Sequence, residues 1–245
     1  MSFSCVVQPI NGISFGSHPT VTRFLKRVFK SRPTAPQYTQ TWDVGKVISY
    51  LQTILNSDDV SLKDLTLKTV MLVSLVSAQR GKTIHYLNLN DVISSETLIT
   101  YALSKLLKQS KPGVRPMVVQ FTSYPAHPRS CVVTTLKMYL ARLRCKRGDY
   151  KQLFISYLKP FKSLSRSTIS RWIKVVMCSS GINVAVLRQQ STRAAATSKA
   201  SASLIPLDQI LSTAGWSSVS TFAKFYNKHI DVKNSFAESV LQSVD

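Results

Sequence analysis

The first stretch of the chain in which apolar residues recur at helical spacing is Val21–Lys30. Within Val21–Lys30 the apolar stripe consists of Val21, Phe24, Leu25 and Val28. Residues three and four apart share one face of an α-helix, and Lys and Arg fill most other positions, so the pattern predicts a basic amphipathic helix. Ser31–Thr41 follows with two prolines and small polar residues, which indicates a linker. We therefore predict an N-terminal segment, residues 1–40, and a main domain, residues 41–245.

The next two helices are predicted from their caps as well as their periodicity. The Asp43 side chain can cap a helix whose apolar stripe consists of Val44, Val47, Ile48, Leu51 and Leu55. Ser61 and Asp64 have the spacing of a capping box ahead of Leu62–Ala78. That second helix is apolar nearly all round, which predicts burial, and it ends at Arg80-Gly81.

Strand character follows on both sides of the turn-rich Lys111-Pro-Gly113. The arms Thr97–Leu107 and Met117–Phe121 predict a small antiparallel hairpin, although the first arm also fits a helix. Further helices are predicted at Cys131–Arg144, Ser167–Cys178, Ser191–Ser201 and Val219–Lys228. The predicted fold class is mainly α with a small antiparallel β-sheet, an α+β arrangement.

The composition adds a large positive charge to this picture. The chain has 32 Lys and Arg against 11 Asp and Glu, a net charge of +21. Such a charge attracts polyanions, so nucleic acid is the first partner to consider and an acidic membrane surface the second. A membrane-spanning helix needs about 20 apolar residues, and the longest run, Val70–Ala78, is far shorter. We expect no membrane residence.

The N-terminal residues and the spacing of the cysteines favour a protein that stays inside the cell. The N-terminus lacks the basic start and apolar stretch of a secretory signal, so we expect the nucleus in a eukaryotic host and the cytoplasm otherwise. The cysteines are scattered without a C-x-x-C pair: Cys5, Cys131, Cys145 and Cys178. This spacing favours reduced thiols over a disulfide framework or a zinc site.

The sequence contains none of the common motifs for metal-dependent or nucleotide-dependent chemistry. It has no H-E-x-x-H, G-x-x-x-x-G-K-[ST] or G-x-S-x-G, and its one close carboxylate pair, Asp58-Asp59, lies in a polar segment. Metal-assisted phosphoryl chemistry needs carboxylates, which are sparse here. Chemistry on phosphodiesters is therefore expected to use cations and a protein nucleophile, with no metal and no cofactor.

Three segments contain a cation or a nucleophile that could act on a phosphodiester, and for each of them a purely structural role is the alternative. Arg80 follows a buried helix, where a guanidinium either meets an anion or binds the last helix carbonyls. The small-residue segment Gln190–Ala200 either presents Arg193 and helix amides to an anion or is an ordinary packing helix. Tyr226 lies in an aromatic C-terminal helix, where a core tyrosine is the alternative.

Taken in order, these features resemble the tyrosine recombinase (phage integrase) superfamily, and most closely the recombinases of DIRS-type retrotransposons. The resemblance runs from about His18 to the end and rests on TWDVGKVISYL, LKDLTLKTVMLVSLVSAQRGKTIHYLNLNDV, STISRWIKVVMCSSGI, QQSTRAAATSKA and AGWSSVSTFAKFYNKH. It implies a tyrosine-recombinase catalytic-domain fold for residues 41–245. It also implies that residues 1–40 are the remnant of a core-binding domain, with Val21–Lys30 as its last helix.

The resemblance implies a role for each matching position. Arg80 and Arg193 would bind the non-bridging oxygens of the scissile phosphate. Trp216 would donate its indole N–H to the same phosphate. Tyr226 would be the nucleophile that forms a 3′-phosphotyrosyl link and releases a 5′-hydroxyl.

Two further positions follow from the resemblance. The family's lysine general acid falls on Lys108 or Lys111, and the Ser-Lys-Pro-Gly turn favours Lys111. The family's H-x-x-R motif reads Gln190-x-x-Arg193 here. Glutamine can bond a phosphate oxygen but cannot accept the tyrosine proton, so this departure predicts slowed or lost cleavage.

The expected partner is double-stranded DNA, with self-association on DNA through the C-terminal segment. The expected contacts with the DNA backbone are made by Arg23, Lys26, Arg27, Lys30, Lys105, Arg115 and Arg171. A non-catalytic DNA-binding remnant of a mobile element is the first alternative function, and a basic RNA-binding protein is the second.

Overall fold

The structure is a computed structural model that describes residues 7–32, 40–104, 117–216 and 218–230. In chain order the helices and strands are α1 (Pro19–Ser31), β1 (Gln40–Thr41), α2 (Val44–Thr53), α3 (Leu62–Ser77), α4 (Gly81–Tyr86), β2 (Val92–Ser94), β3 (Leu98–Ala102), β4 (Val118–Thr122), α5 (Val132–Leu143), α6 (Arg166–Ser179), α7 (Ser191–Ala202), α8 (Leu207–Ala214), α9 (Val219–Phe225) and β5 (His229–Ile230). The predicted class, mainly α with a small antiparallel sheet, is confirmed.

The chain divides into two compact units, Met1–Gln37 and Tyr38–Asp245. In the first, α1 begins after His18, whose Nδ1 accepts the Thr20 amide at 3.3 Å, and Pro19 occupies the first helical turn. A proline there loses no hydrogen bond, because the first helix amides have no partner within the helix. The helix therefore starts two residues before the predicted Val21.

The second unit is built around α3. This helix begins at the Ser61 cap, whose hydroxyl accepts the Asp64 amide at 3.0 Å, and ends at Ala78 in the left-handed conformation, φ 48°. It packs against α5, α6, α7 and β4. Because every face meets another element, its hydroxyl side chains are buried and bond the carbonyl four residues back, as Ser74 does to Val70 at 2.7 Å.

The three-stranded sheet has the order β2-β3-β4 and is antiparallel throughout. Alternate side chains of β3 and β4 face the core, and these are Ile99, Tyr101, Val119 and Phe121. The predicted first arm is therefore a strand through Ala102, and the helical alternative for that part is wrong. The turn at 111–113 lies outside the described residues.

A second, two-stranded pairing joins the residues that precede α2 to those that follow α9. β1 and β5 are parallel, with Gln40 opposite His229 and Thr41 opposite Ile230. The sequence predicts a linker through Thr41, and this is wrong for Gln40 and Thr41, which form β1. The strand β5 directly follows the predicted C-terminal helix Val219–Lys228. That helix, α9, ends at Phe225 and not at Lys228.

Two helices were not predicted from the sequence. α4 follows α3 after a break of three residues, and α8 lies between α7 and the aromatic segment. α8 contributes Ile210 and Ala214 to a small second core that also contains Ala78, Trp216 and Phe222. In the part of the chain that the structure describes, no helix is long and apolar enough to cross a membrane.

Candidate functional site

Four chain segments meet around a cleft of about 1170 Å³ on the larger unit. They are the segment from the end of α3 into α4, the start of α6, the start of α7 and Tyr226, which directly follows α9. The cations on its wall are Arg80, Lys82, Arg166 and Arg193. None of the described residues that line the cleft is acidic, so its positive charge is uncompensated by protein carboxylates. A concave surface of this kind attracts an anion.

Arg193 is the most buried cation of the cleft, with 5% of its surface exposed. Its Nη2 donates to the Ala214 carbonyl at 2.5 Å. Among the described residues, its Nε and Nη1 are buried without a hydrogen-bond partner. Burial and, to a smaller extent, the positive charge of Arg80 lower the pKa of Arg193, Tyr226 acts in the opposite direction, and the net pKa is about 10. The guanidinium therefore offers two free donors to an acceptor that enters the cleft.

Two aromatic rings hold this guanidinium in place. The Arg193 Cζ lies 4.2 Å from the centroid of the Trp216 ring and 5.3 Å from that of Tyr226. The Trp216 and Tyr226 rings are themselves 4.4 Å apart. Trp216 is buried, and its indole Nε1 has no hydrogen-bond partner among the described residues. Arginine, tryptophan and tyrosine, of which the arginine is distant in sequence from the two rings, thus form one group of packed side chains at the cleft.

Arg80 lies on the wall of the same cleft, at the residue that precedes α4. Its backbone is extended, with φ −72° and ψ 149°, and its side chain is exposed. It follows the last residue of α3 by three residues and is not part of the last turn of that helix. Gln79, next to it, donates to the Thr213 carbonyl at 2.6 Å and ties this segment to the end of α8.

The starts of α6 and α7 add helix dipoles to the cleft. Ser165 and Ser167 line it from α6, and Gln189 and Gln190 line it from α7. Neither helix has an acidic residue in its first turn. The partial positive charge at each helix start is therefore not offset locally and adds to that of the arginines. Gln190 precedes α7, is exposed, and makes no capping hydrogen bond.

The structure brings four of the candidate catalytic residues to one cleft and a fifth beside it. Arg80, Gln190, Arg193 and Tyr226 line the cleft, and Trp216 packs against Arg193 and Tyr226. The two candidate general acids, Lys108 and Lys111, lie outside the described residues, as do Lys105 and Arg115. The catalytic roles themselves remain predictions.

The remaining candidate DNA contacts are on the surface. The basic residues of α1 are exposed and line a shallow depression of the N-terminal unit: Arg23, Lys26, Arg27 and Lys30. Arg171 is exposed on α6 but is not among the residues that line the cleft. Their contacts with DNA also stay predictions.

Sequence reasoning missed several residues of the cleft wall. Lys82 lies two residues after Arg80, and its Nζ is 5.4 Å from the centroid of the Tyr86 ring. Arg166 is the first residue of α6, directly after the Ser165 cap. A cation at a helix start is unfavourable for the helix dipole, and this placement was a signal that could have pointed to an anion site.

The described residues contain little of what a metal site or a reactive thiol would need. No group of three or more His, Cys, Asp or Glu side chains there could hold a metal ion. Cys131, Cys145 and Cys178 are free thiols, and Cys5 lies outside the described residues. Cys131 is buried, where burial raises its pKa, but hydrogen bonds from neighbouring groups outweigh this effect and lower the pKa to about 7.

Comparison with known proteins finds similarity in structure only. No protein-family model and no curated protein matches the chain by sequence. Among solved structures, XerA recombinase aligns with 92% of this chain and 74% of its own, at 17% identity and a TM-score of 0.59. The XerH site-specific recombinase bound to its difH substrate aligns with 85% of this chain at 12% identity and a TM-score of 0.58.

A lambda integrase dimer bound to a COC′ core site aligns with 85% of this chain, at 14% identity and a TM-score of 0.52. The chain spans about half the length of two of these proteins, 53% of XerH and 56% of the integrase. Identities this low establish the fold and not the activity. The larger unit therefore has the fold of the tyrosine-recombinase catalytic domain.

Proposed function

We propose that this protein binds double-stranded DNA and breaks and rejoins its strands, with Tyr226 as the nucleophile. The observation that carries the proposal is Arg193, a buried guanidinium with two unpartnered donors that lines one cleft together with Arg80 and Tyr226. Burying a cation without an anion is costly, and sites that accept this cost are typically binding sites. A DNA phosphate would supply the missing anion.

The geometry suits the charge that develops at an attacked phosphate. A planar guanidinium can bond two non-bridging oxygens at once. The rings of Trp216 and Tyr226 pack against the Arg193 guanidinium and restrict its movement. Arg80 adds a second cation on the same cleft. The unpartnered Nε1 of Trp216 is a further donor. Donors that are already oriented stabilise the transition state without reorganising.

The reaction conserves the phosphodiester bond energy. The Tyr226 oxygen attacks phosphorus, the bond from phosphorus to the 5′ oxygen breaks, and a 3′-phosphotyrosyl link forms. The phenolic proton passes to a base or to solvent. The leaving 5′ oxygen takes a proton from a general acid, which we assign to Lys111 or Lys108. The reversed steps rejoin the strand, so the proposed chemistry uses neither metal nor cofactor.

The fold supports a role in DNA recombination or integration. XerH is a site-specific recombinase bound to its substrate, and lambda integrase forms a dimer on a core site and a tetramer on a Holliday junction. By analogy we propose that this chain also self-associates on DNA, through its C-terminal segment. We further propose that it comes from a transposable element, closest to DIRS-type retrotransposons, and acts where its host keeps DNA, in the nucleus of a eukaryote.

DNA binding without cleavage is the second candidate function. It is favoured by Gln190, which lies on the cleft wall where the family has its histidine and whose amide cannot accept a proton. The chain would then be a remnant that retains the phosphate site but not the full chemistry. A general RNA-binding protein would share the charge but has no need of a tyrosine stacked on the arginine.

Trapping on a nicked duplex tests the enzyme proposal. We expect wild type, in chelator, to form a covalent adduct on Tyr226, and Tyr226→Phe to form none while it binds DNA as before, since only one oxygen is lost. Tyr157→Phe is the matched control, because Tyr157 is also half-buried and also packs against a tryptophan, Trp172, with ring centroids 5.1 Å apart.

The three possible outcomes separate the hypotheses. An adduct that survives in Tyr226→Phe means that the nucleophile is misassigned. Normal duplex binding without an adduct in wild type favours the binding remnant. Preference for RNA over duplex DNA in competition would overturn both in favour of an RNA-binding protein.

A further inference from the structure

Ser198 lies on the same helix as Arg193 but touches a different part of the site. It is 2% exposed, and its hydroxyl donates to the Tyr226 carbonyl at 2.7 Å. The same oxygen accepts the Lys228 backbone amide at 2.9 Å. A serine hydroxyl can donate one hydrogen bond and accept others. Here the donated bond and one accepted bond both join Ser198 to the backbone of the segment that contains Tyr226.

This contact lies at the point where α9 stops. Tyr226 follows the last residue of α9, with φ −127° and ψ −24°, so its carbonyl is past the regular helix. Carbonyls at a helix end have no partner within the helix and need one from elsewhere. Ser198 supplies it from α7, across 28 residues of sequence.

The same helix holds the predicted phosphate ligand. Arg193 and Ser198 are five residues apart on α7, which corresponds to about 7.5 Å along the helix axis. α7 is itself buried over most of its length, including Ala194, Ala195 and Thr197. The guanidinium and the anchor of the tyrosine backbone are therefore carried by one packed element and cannot easily move independently.

We propose that Ser198 is a positioning residue, whose hydroxyl fixes the Tyr226 backbone relative to the Arg193 guanidinium so that the phenol meets the phosphate in line. The proposal rests on the proposed function. Ser198 is not among the residues that line the cleft, and its hydroxyl bonds the backbone of Tyr226 and Lys228, so it acts through the tyrosine segment. It sets the geometry of attack and not the affinity for DNA.

Ser191 provides a matched control on the same helix. It is also buried, its hydroxyl also makes two hydrogen bonds, and it accepts from the Trp42 Nε1 at 2.9 Å and donates to the Arg188 carbonyl at 2.7 Å. Those partners are not part of the tyrosine segment. Ser191→Ala therefore removes equivalent bonding from α7 without releasing Tyr226.

The test measures single-turnover adduct formation on a nicked duplex at saturating DNA, for wild type, Ser198→Ala, Ser198→Thr and Ser191→Ala. We expect Ser198→Ala to form the adduct about 10- to 100-fold more slowly, since a displacement of about 1 Å at the attacking group can cost this much. Duplex affinity and the shape of the pH–rate profile should not change. Ser198→Thr, which keeps the hydroxyl, should restore most of the rate.

Amide hydrogen exchange gives a readout that does not depend on cleavage. In Ser198→Ala the Lys228 amide loses the Ser198 hydroxyl as an acceptor, and we expect its exchange to be about tenfold faster, whereas Ser191→Ala should leave it unchanged. A wild-type adduct rate in Ser198→Ala, or an equal loss in Ser191→Ala, overturns the proposal. If wild type forms no adduct, the proposed function fails. In that case the exchange rate of the Lys228 amide still tests the anchoring role of Ser198, and an unchanged rate in Ser198→Ala overturns it.

Discussion

Gln190 and Arg193 face the same cleft from the start of one helix, and neither side chain can accept the phenolic proton of Tyr226. The arginine offers donors to a phosphate, and its burial and stacking are already in place. The glutamine amide can donate or accept a hydrogen bond but cannot take up a proton. At the scale of single residues, the site is thus prepared for binding more completely than for proton removal from Tyr226.

Replacing Gln190 with histidine tests this imbalance. We expect Gln190→His to raise the rate of adduct formation on a nicked duplex, by up to about 10²–10⁴-fold if removal of the phenolic proton limits the rate. The imidazole must be neutral to accept that proton, so the gain should be present above a pH of about 6.5 and should be lost below it.

Gln189→His is the control for this variant, because Gln189 also lines the cleft. If both histidine variants speed the reaction equally, the effect is general and not that of a base at position 190. If neither does so while both bind DNA, proton removal is not what limits this protein.

At the scale of the element, α3 combines a structural role with a buried charge. Lys68 is fully buried in the middle of this helix, and its Nζ donates to the Ile54 carbonyl. Burial lowers the pKa of Lys68 to about 8, and the nearby Arg129 contributes in the same direction. The folded protein therefore binds its proton less tightly than the unfolded chain does, and the charged form destabilises the fold.

The pH dependence of stability follows from this lowered pKa. Between about pH 8 and the unfolded value of 10.5, the unfolded chain binds more protons, so the contribution of Lys68 to the free energy of unfolding rises with pH. We expect the stability of wild type relative to Lys68→Met to increase by about 1–3 kcal/mol from pH 7 to pH 10. Urea unfolding at the two pH values measures it.

Lys63→Met serves as the control, because Lys63 is on the same helix but exposed. Its stability difference from wild type should be nearly independent of pH over this range. A Lys68→Met difference that stays equally flat would contradict the burial of the charged amine.

The elements also show what the sequence could and could not predict. α3 was predicted to within a residue because its cap and its unbroken apolar run are local signals. α4 and α8 were missed because they are short, six and eight residues, and α8 forms where Ile210 and Ala214 find Trp216 and Phe222. Packing between distant segments stabilises such helices, and no local pattern records it.

The same distinction holds for the site. Arg80, Arg193, Trp216 and Tyr226 were singled out by their type and by a resemblance, and the structure places them together. Ser198 carried no signal, because a serine in a helix of small residues has no feature that predicts a bond to a backbone group 28 residues further on. The β1–β5 pairing likewise joins segments that only the folded chain brings together.

For the whole molecule, the net charge of +21 is far more than one cleft with four cations can account for. Much of the remaining charge is on exposed surface, including the basic face of α1. A duplex carries a phosphate charge about every 1.7 Å, so a DNA-binding protein can use many such cations at once. The excess charge is therefore expected to set affinity, while the cleft sets the chemistry.

The salt dependence of duplex binding shows whether the cations of α1 contact DNA phosphates directly or act only through the net charge of the protein. Each neutralised phosphate contributes about 0.9 to the slope of log affinity against log salt. Replacing Arg23, Lys26, Arg27 and Lys30 of α1 with glutamine should lower that slope by about 3 to 4 if each cation meets a phosphate.

The control variant replaces four exposed cations that do not line the cleft and so removes the same charge: Arg144, Lys146, Lys151 and Lys159. We expect this control to change the slope by less than about one contact. An equal loss in both variants would mean that α1 acts only through net charge, and binding insensitive to salt in the wild type would contradict DNA as the partner.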